Sequence, residues 1–267
     1  MKNNFIKIIV ILLLSFIYIS KAISDDFNFN VSELVITDNG NIYNGINGGK
    51  VTTENGIEIT AETFKYNKLT SLLESKGNVI LIDKIKDITI SSEQIFYLKN
   101  EELAYTVGKS KAISGKEIEI NSNEFFRYNK LSSILTAKGG VKIFDKINDT
   151  IVESEEIIYF KNEDKFTTKD KTKINIENKY FIDTRDLILL RKNMLLSSKY
   201  KTTITDTQDN FYKLNDFSYL INEKILKGSN VEVVTNYLKD TSDKYFFETG
   251  FFNFKNQKFA AKDIKIN

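Results

Sequence analysis

The sequence repeats itself with a period of 31 residues, and this period limits the folds that the chain can adopt. Acidic residues recur at that spacing, at Glu62, Glu93, Glu124, Glu155 and Asp186. A tyrosine follows each of the first four acids by four residues, at Tyr66, Tyr97, Tyr128 and Tyr159. Glycine recurs with the same period, at Gly77, Gly108 and Gly139. A fixed period of this length is typical of proteins that stack one supersecondary unit on the next.

Twice this period gives longer matches. The segment Tyr66-Asn67-Lys68-Leu69 recurs as Tyr128-Asn129-Lys130-Leu131, and Lys76-Gly77-Asn78-Val79 recurs as Lys138-Gly139-Gly140-Val141. The register weakens after residue 165, although residues 219–228 and 248–254 resemble further copies. The repeat therefore occupies most of the chain.

Within each unit the apolar residues alternate with polar ones, as in half-buried strands. Ile57, Ile59 and Ala61 follow this alternation, and the apolar phase then slips by one residue after Glu62 and resumes at Phe64. Alternation of β-branched and aromatic residues predicts antiparallel strands. A phase slip predicts a bulge or a corner where the strand passes between sheets. We therefore expect an all-β stack of antiparallel strands with open ends, whose edges are available for strand addition.

The first 22 residues differ from the rest of the chain. Lys2 precedes an apolar stretch that extends to Ile19, and Ser20-Lys21-Ala22 has small residues at the −3 and −1 positions of a cleavage site. This pattern predicts a secretory signal peptide over residues 1–22, followed by a domain over residues 23–267. An uncleaved membrane anchor is the alternative.

The composition excludes several classes of function. The chain contains no His and no Cys, which rules out Ser-His-Asp triads, Cys-His pairs, disulfides and zinc sites with nitrogen or sulfur ligands. The formal net charge is only +2, which argues against nucleic acid as a partner. Composition leaves open carboxylate-only or Ser-Lys chemistry and a calcium site with oxygen ligands. From the repeat and the resemblance described below, we expect a protein that is not an enzyme, with no catalytic residues, no metal site and no cofactor.

The periodic acids have two alternative interpretations. A pair of carboxylates that flanks one cleft can hydrolyse glycosides, and oxygen ligands can bind calcium. A catalytic pair occurs once, however, whereas these acids recur at predicted strand corners. We therefore interpret them as structural. The cluster Asp38-Asn39-Gly40 is interpreted in the same way, as turn chemistry in a chain without proline.

The repeat resembles a known family. Residues 59–67 read Ile-Thr-Ala-Glu-Thr-Phe-Lys-Tyr-Asn, and residues 77–81 read Gly-Asn-Val-Ile-Leu. Together they resemble the OstA repeat of bacterial lipopolysaccharide transport (Lpt) proteins. Further copies begin at Ser92 and Ser154, and an early one begins at Ser32. The resemblance implies a β-jellyroll folded like a taco, open at both ends, with an apolar groove inside.

The resemblance also implies a function. It suggests a periplasmic, outer-membrane-associated component that passes lipopolysaccharide to the outer membrane, holds the acyl chains of lipid A, and pairs edge to edge with other Lpt jellyrolls. The length of the chain fits best the amino-terminal domain of LptD, which would have an outer-membrane partner. The final segment ends in mid-strand, at Asn267, which suits a fragment or an unextended relative of LptD. The absence of the cysteines that many LptD proteins carry departs from that family. The alternatives are a soluble bridge of the LptA type and, in another class, an exported β-repeat scaffold or adhesin with a packed core.

Inward-facing side chains are the candidate groove lining. Burying one methylene contributes about 0.8 kcal/mol, so an acyl chain that crosses water needs a continuous apolar cradle. Our candidates are Ile59, Phe64, Tyr66, Leu73, Val79, Leu81, Ile120, Phe126, Val141, Ile143, Val231 and Val233. The alternative is that they form an ordinary core. A dense aromatic cluster is either strand core or the mouth of the groove, and it consists of Tyr245, Phe246, Phe247, Phe251, Phe252 and Phe254.

Overall fold

The computed structural model describes residues 27–256 and 258–266. The predicted signal peptide at residues 1–22 lies outside the described residues, so export stays a prediction. Within the described part of the chain, no helix has the length and apolar character needed to cross a membrane.

The described chain is all-β, as the alternation predicts. One sheet of 21 antiparallel strands contains β1 (Asn28–Thr37), β2 (Ile42–Thr52), β3 (Ile57–Ala61), β4 (Thr63–Asn67), β5 (Leu72–Asp83), β6 (Ile88–Leu98), β7 (Leu103–Ser114), β8 (Ile118–Ser122), β9 (Phe125–Asn129), β10 (Ile134–Asp145), β11 (Thr150–Phe160), β12 (Lys165–Ile176), β13 (Tyr180–Arg185), β14 (Ile188–Leu190), β15 (Leu195–Ser198), β16 (Thr202–Asp206), β17 (Phe211–Leu220), β18 (Ile225–Thr235), β19 (Asp243–Asn253), β20 (Lys258–Lys262) and β21 (Lys265–Ile266). Single 3-10 turns span Asp38–Gly40, Lys99–Glu101, Lys161–Glu163 and Arg191–Asn193.

The strands are arranged as a stack of layers. β5 pairs with β6 on one side, and on the other side with both β3 and β4, which are two halves of one interrupted strand. When such halves are joined, the described residues form sixteen layers. At the usual spacing between strands, this stack is about 70 Å tall. Two successive layers form one hairpin, which is the 31-residue unit of the sequence.

Each layer bends near its middle, and the bend divides the stack into two walls. The first wall contains β3, β8, β13, β16 and β21, and the second wall contains β4, β9, β14, β15 and β20. Each wall also includes the matching halves of the uninterrupted strands. The side chains between the walls form one hydrophobic cluster, which includes Phe27 before the first layer and Phe252 in β19. The core therefore runs along the stack rather than occupying one site.

The periodic acids lie at the bends. Glu62 separates β3 from β4, and Glu124 separates β8 from β9. At Glu93 and Glu155 the pairing register shifts, so that one residue is left out of the ladder. All four side chains are exposed. Their position is the corner that the phase slip predicts.

Glycine in the neighbouring layer completes the bend. Gly77 and Gly139 have φ angles of 80° and 85°, in the left-handed region that favours glycine. A Cβ atom at Gly77 would overlap the side chain of Glu62, and one at Gly139 would overlap that of Glu124. Each acid thus occupies the space that its glycine leaves empty.

The bends continue where the sequence repeat fades. After residue 165 they occur at Asp170, Asp216 and Asn230, whose φ angles are 62°, 46° and 46°. Asp and Asn tolerate this conformation better than other residues with a side chain. The layers therefore persist beyond residue 165, with a different residue type in place of glycine.

Candidate functional site

The twelve predicted groove residues all lie in the core between the walls. None of them is more than 6% exposed. Both walls contribute: Ile59 is paired with Leu81 in the first wall, and Tyr66 with Leu73 in the second. The walls pack against each other in this conformation, so an acyl chain enters only if core side chains move or the walls separate.

Several buried hydroxyl groups lie on the bend side of this interior. The hydroxyl of Thr106 accepts hydrogen bonds from Ser110 Oγ at 2.6 Å and from the backbone N–H of Phe126 at 2.8 Å. Ser75 differs, because its Oγ is buried and has no hydrogen-bond partner among the described residues. An unpaired hydroxyl in an apolar interior costs free energy.

The predicted carboxyl-terminal aromatic cluster divides between two faces of β19. Phe247 and Phe252 are buried in the core, and Tyr245 and Phe254 pack against it. Phe251 lies on the outer face, where Lys227 Nζ lies 5.5 Å from its ring centroid. The inward members thus continue the interior to this end of the stack.

A second aromatic cluster lies at the other end, and the sequence analysis missed it. Phe27 contacts Tyr66 edge to face, with ring centroids 4.8 Å apart, and Tyr43 lies 5.9 Å from Tyr66. Phe29 stacks on Tyr43 at 5.8 Å. These residues come from three separate segments, so no local pattern marks them as a cluster. Only the periodic position of Tyr66 was a usable signal.

The free turns of the two walls meet along the edge opposite the bends, which we call the seam. Five contacts, which we call clasps, join a first-wall residue to a second-wall residue: Asn55 to Glu102, Asp83 to Lys130, Ser114 to Lys161, Asp145 to Arg191, and Glu177 to Lys224. Each pair is separated by 46 or 47 residues, which equals three layers. The clasps therefore close the stack along the edge opposite the bends.

Tyrosines support the clasps from inside. Tyr128 donates a hydrogen bond to Oδ2 of Asp83 at 2.7 Å, and Tyr97 donates one to Oε2 of Glu102 at 2.6 Å. Burial, and then the hydrogen bond to the carboxylate, raise the pKa of both tyrosines well above the usual value. Burial alone would raise the pKa of Glu102, but hydrogen bonds from Lys99 and Tyr97 outweigh it and lower that pKa. The tyrosines therefore stay neutral donors, and Glu102 stays ionised.

The Arg191 clasp uses three edges of the guanidinium group. Nε donates to Asp145 at 2.8 Å, one terminal nitrogen donates to Asp164 at 3.0 Å, and the other to Glu117 at 2.9 Å. Burial by itself would lower the pKa of Arg191, but these hydrogen bonds reverse the effect and raise it. A fork of this kind matches the geometry of carboxylates better than an ammonium group does.

No motif in the sequence identifies the clasps. A basic residue begins the second-wall turns with the 31-residue period, at Lys68, Lys99, Lys130 and Lys161. That recurrence was the available signal. It did not reveal the partners of Lys130 and Lys161, which lie three layers away in the opposite wall, and Lys99 pairs instead with Glu102 of its own turn.

The chain has similarity to known proteins at the level of solved structures. No protein-family model and no curated protein matches the chain. The chain is similar to the crystal structure of LptH, described as the LptA-homologous periplasmic component of the lipopolysaccharide transport device of Pseudomonas aeruginosa. The identity is 14% and the TM-score 0.39, over 43% of this chain and 83% of the LptH chain. At these values the function of LptH does not extend to this chain.

Proposed function

We propose that this chain is a non-enzymatic, periplasmic component of lipopolysaccharide transport that carries the acyl chains of lipid A between its two walls. The observation that carries the proposal is the single apolar interior, which runs along the stack between the bends and the seam. A lipid in transit through water needs a continuous apolar cradle, because each exposed methylene costs about 0.8 kcal/mol. The resemblance of the repeat to the OstA repeat supports lipopolysaccharide as the cargo.

The proposed partners are like-folded Lpt proteins that add to the edge strand. Among the described residues β1 pairs only with β2, so its other edge has unpaired backbone groups. Leu34, Val35 and Ile36 in this strand are 40%, 41% and 51% exposed. Free backbone groups and apolar side chains at an edge favour strand addition. The edge therefore supports joining end to end.

Photocrosslinking tests the proposal. A photoreactive amino acid is placed at Phe64 or Val141, which face the interior, and in matched controls at Lys65 or Lys142, which are their outward neighbours. We expect lipopolysaccharide adducts at the two inward positions and none at the two outward ones. Absence of adducts at every inward position would contradict lipid transport.

That negative result would favour a second function, an exported scaffold with a permanently packed core. The observation in its favour is the near-complete burial of all twelve groove candidates. In a scaffold these residues serve only stability, and lipid does not alter their environment.

Within the transport family we propose the amino-terminal domain of LptD, with LptA as the alternative. The downstream DNA distinguishes the two. A reading frame that continues into amphipathic strands of about ten residues indicates an LptD barrel, whereas a stop codon followed by an ATPase gene indicates LptA. Mass spectrometry of the exported chain tests the predicted cleavage after Ala22.

A further inference from the structure

The series of clasps does not continue to the carboxyl-terminal end of the described chain. The next position along the seam brings the end of β16, at Asp206, beside the end of β19, at Asn253, which are 47 residues apart like the clasp pairs. In the described structure no hydrogen bond or ion pair joins these two ends. The carboxylate of Asp206 instead accepts hydrogen bonds from Gln208 and Asn210 of its own turn, and a longer one, at 3.5 Å, from the hydroxyl of Tyr212.

A cavity of about 340 Å³ occupies this position. Its apolar lining includes Tyr180, Tyr212, Phe252 and Phe254, with the rings of Tyr212 and Phe254 5.8 Å apart. Tyr212 and Phe252 belong to the hydrophobic core, and Tyr180 and Phe254 pack against it. The volume lies within the range of about 300–1,000 Å³ that is usual for ligand pockets. The cavity is therefore an aromatic recess that is lined in part by residues of the core.

Lysines stand at the rim of this recess. Lys179 and Lys258 both line the cavity. Lys179 forms an ion pair with Glu177 at 3.0 Å, while the exposed Lys258 has no ion pair with any described residue. Asp206 also lines the cavity, but its carboxylate is held by its own turn, so the ammonium group of Lys258 remains available at the mouth. The rim thus complements a negatively charged headgroup, and the aromatic lining complements an aliphatic tail.

We propose that this gap in the seam is a lateral port, through which an acyl chain with an anionic headgroup enters or leaves the interior. The inference rests on the proposed function, since it assigns a route to the same interior. The headgroup meets Lys258 and Lys179 at the rim, and the tail lies against the aromatic lining formed by Tyr212 and Phe254. An acyl chain that enters here does not require any of the five clasps to open, because no clasp joins the two walls at this position among the described residues.

The test uses the full chain and a photoreactive C16 fatty acid with a diazirine in its tail, and maps the adducts by peptide mass spectrometry. We expect early adducts on peptides that contain Tyr212, Phe252 and Phe254. Lys258→Glu should reduce their yield at least five-fold. Lys192→Glu is the matched control, because Lys192 is an exposed lysine in the second-wall turn beside the Arg191 clasp, and it should leave the yield unchanged.

Equal effects of the two charge reversals, or adducts spread over exposed apolar residues such as Leu69 and Leu131, would overturn the port. Circular dichroism confirms that each variant keeps its strand content. The two proposals fail separately. Labelling of the recess by fatty acid, without lipopolysaccharide adducts at Phe64 or Val141, would leave the port and remove the transport function. Lipopolysaccharide adducts at those positions without labelling of the recess would do the reverse.

Discussion

Arg191 Nε lies 2.8 Å from Oδ2 of Asp145, a carboxylate 46 residues earlier in the chain and in the opposite wall. The two residues are three layers apart in sequence order, so this contact ties the walls together across the seam. Asp145 is buried and Arg191 nearly so. The backbone therefore joins the two walls at the bends, and side-chain contacts join them at the seam.

Loss of the Arg191 clasp should destabilise the fold. We expect Arg191→Met to lower the free energy of unfolding by about 3–5 kcal/mol, because it leaves the buried carboxylate of Asp145 without its cation. Arg185→Met is the matched control. Arg185 pairs with Asp170 at the exposed surface, so its loss should cost about 0–1 kcal/mol. Urea denaturation followed by circular dichroism measures both, and equal losses would show that the clasp contributes no more than a surface pair.

Alkaline pH should destabilise the seam. Burial and the hydrogen bond to Asp83 raise the pKa of Tyr128 above the value in the unfolded chain, which is about 10. The resulting stability is fully present below pH about 10 and is lost as the pH rises above that value, because the unfolded chain then releases the proton more readily.

The measurement is the urea midpoint between pH 8 and 11, compared with that of Tyr128→Phe. The variant removes one buried titrating hydroxyl while the lysines remain, so its midpoint should fall less steeply above pH 10. Parallel curves for the two proteins would contradict a contribution from Tyr128.

Substitution by alanine should destabilise the bend more at Gly139 than at Gly108. Gly139→Ala and Gly108→Ala both place a side chain at a left-handed φ, which costs about 1–2 kcal/mol. Only at Gly139 does the new Cβ also overlap Glu124, whereas the space around Gly108 is open. We expect Gly139→Ala to be more destabilising by about 1–3 kcal/mol. Equal thermal midpoints would show that Glu124 moves aside freely.

Removal of one buried hydroxyl should stabilise the protein. Ser75 is opposite Phe64 and Ile95 in its neighbouring strands, and Ala137 occupies the equivalent place two units later, opposite Phe126 and Ile157. Because Ser75 Oγ has no partner, Ser75→Ala should raise the free energy of unfolding by about 1 kcal/mol.

The control for Ser75→Ala is Thr106→Ala. It removes a hydroxyl that accepts two hydrogen bonds and should lower the free energy of unfolding by about the same amount. Denaturant melts give both values. A loss of stability in Ser75→Ala would mean that its hydroxyl is satisfied in solution.

The sequence by itself determined the layers and their bends, because both depend on neighbouring residues. Alternation with period two identifies strands whatever they pair with, and the phase slip at Glu62 locates a bend without reference to any partner. The inward set follows from the same alternation, so that all twelve groove candidates, from Ile59 to Val233, lie in the core. After residue 165 the motif fades, but strand alternation continues to specify layers.

Only the tertiary structure decided how the long side is closed. The clasps join residues 46 or 47 apart, as in Asp83 and Lys130, which is one and a half periods, and the stagger between the walls decides that turns at this spacing meet. The packing of the interior and the gap between Asp206 and Asn253 arise in the same way. Each depends on where two distant turns meet in space, and that position is set by the accumulated geometry of three layers rather than by any local pattern.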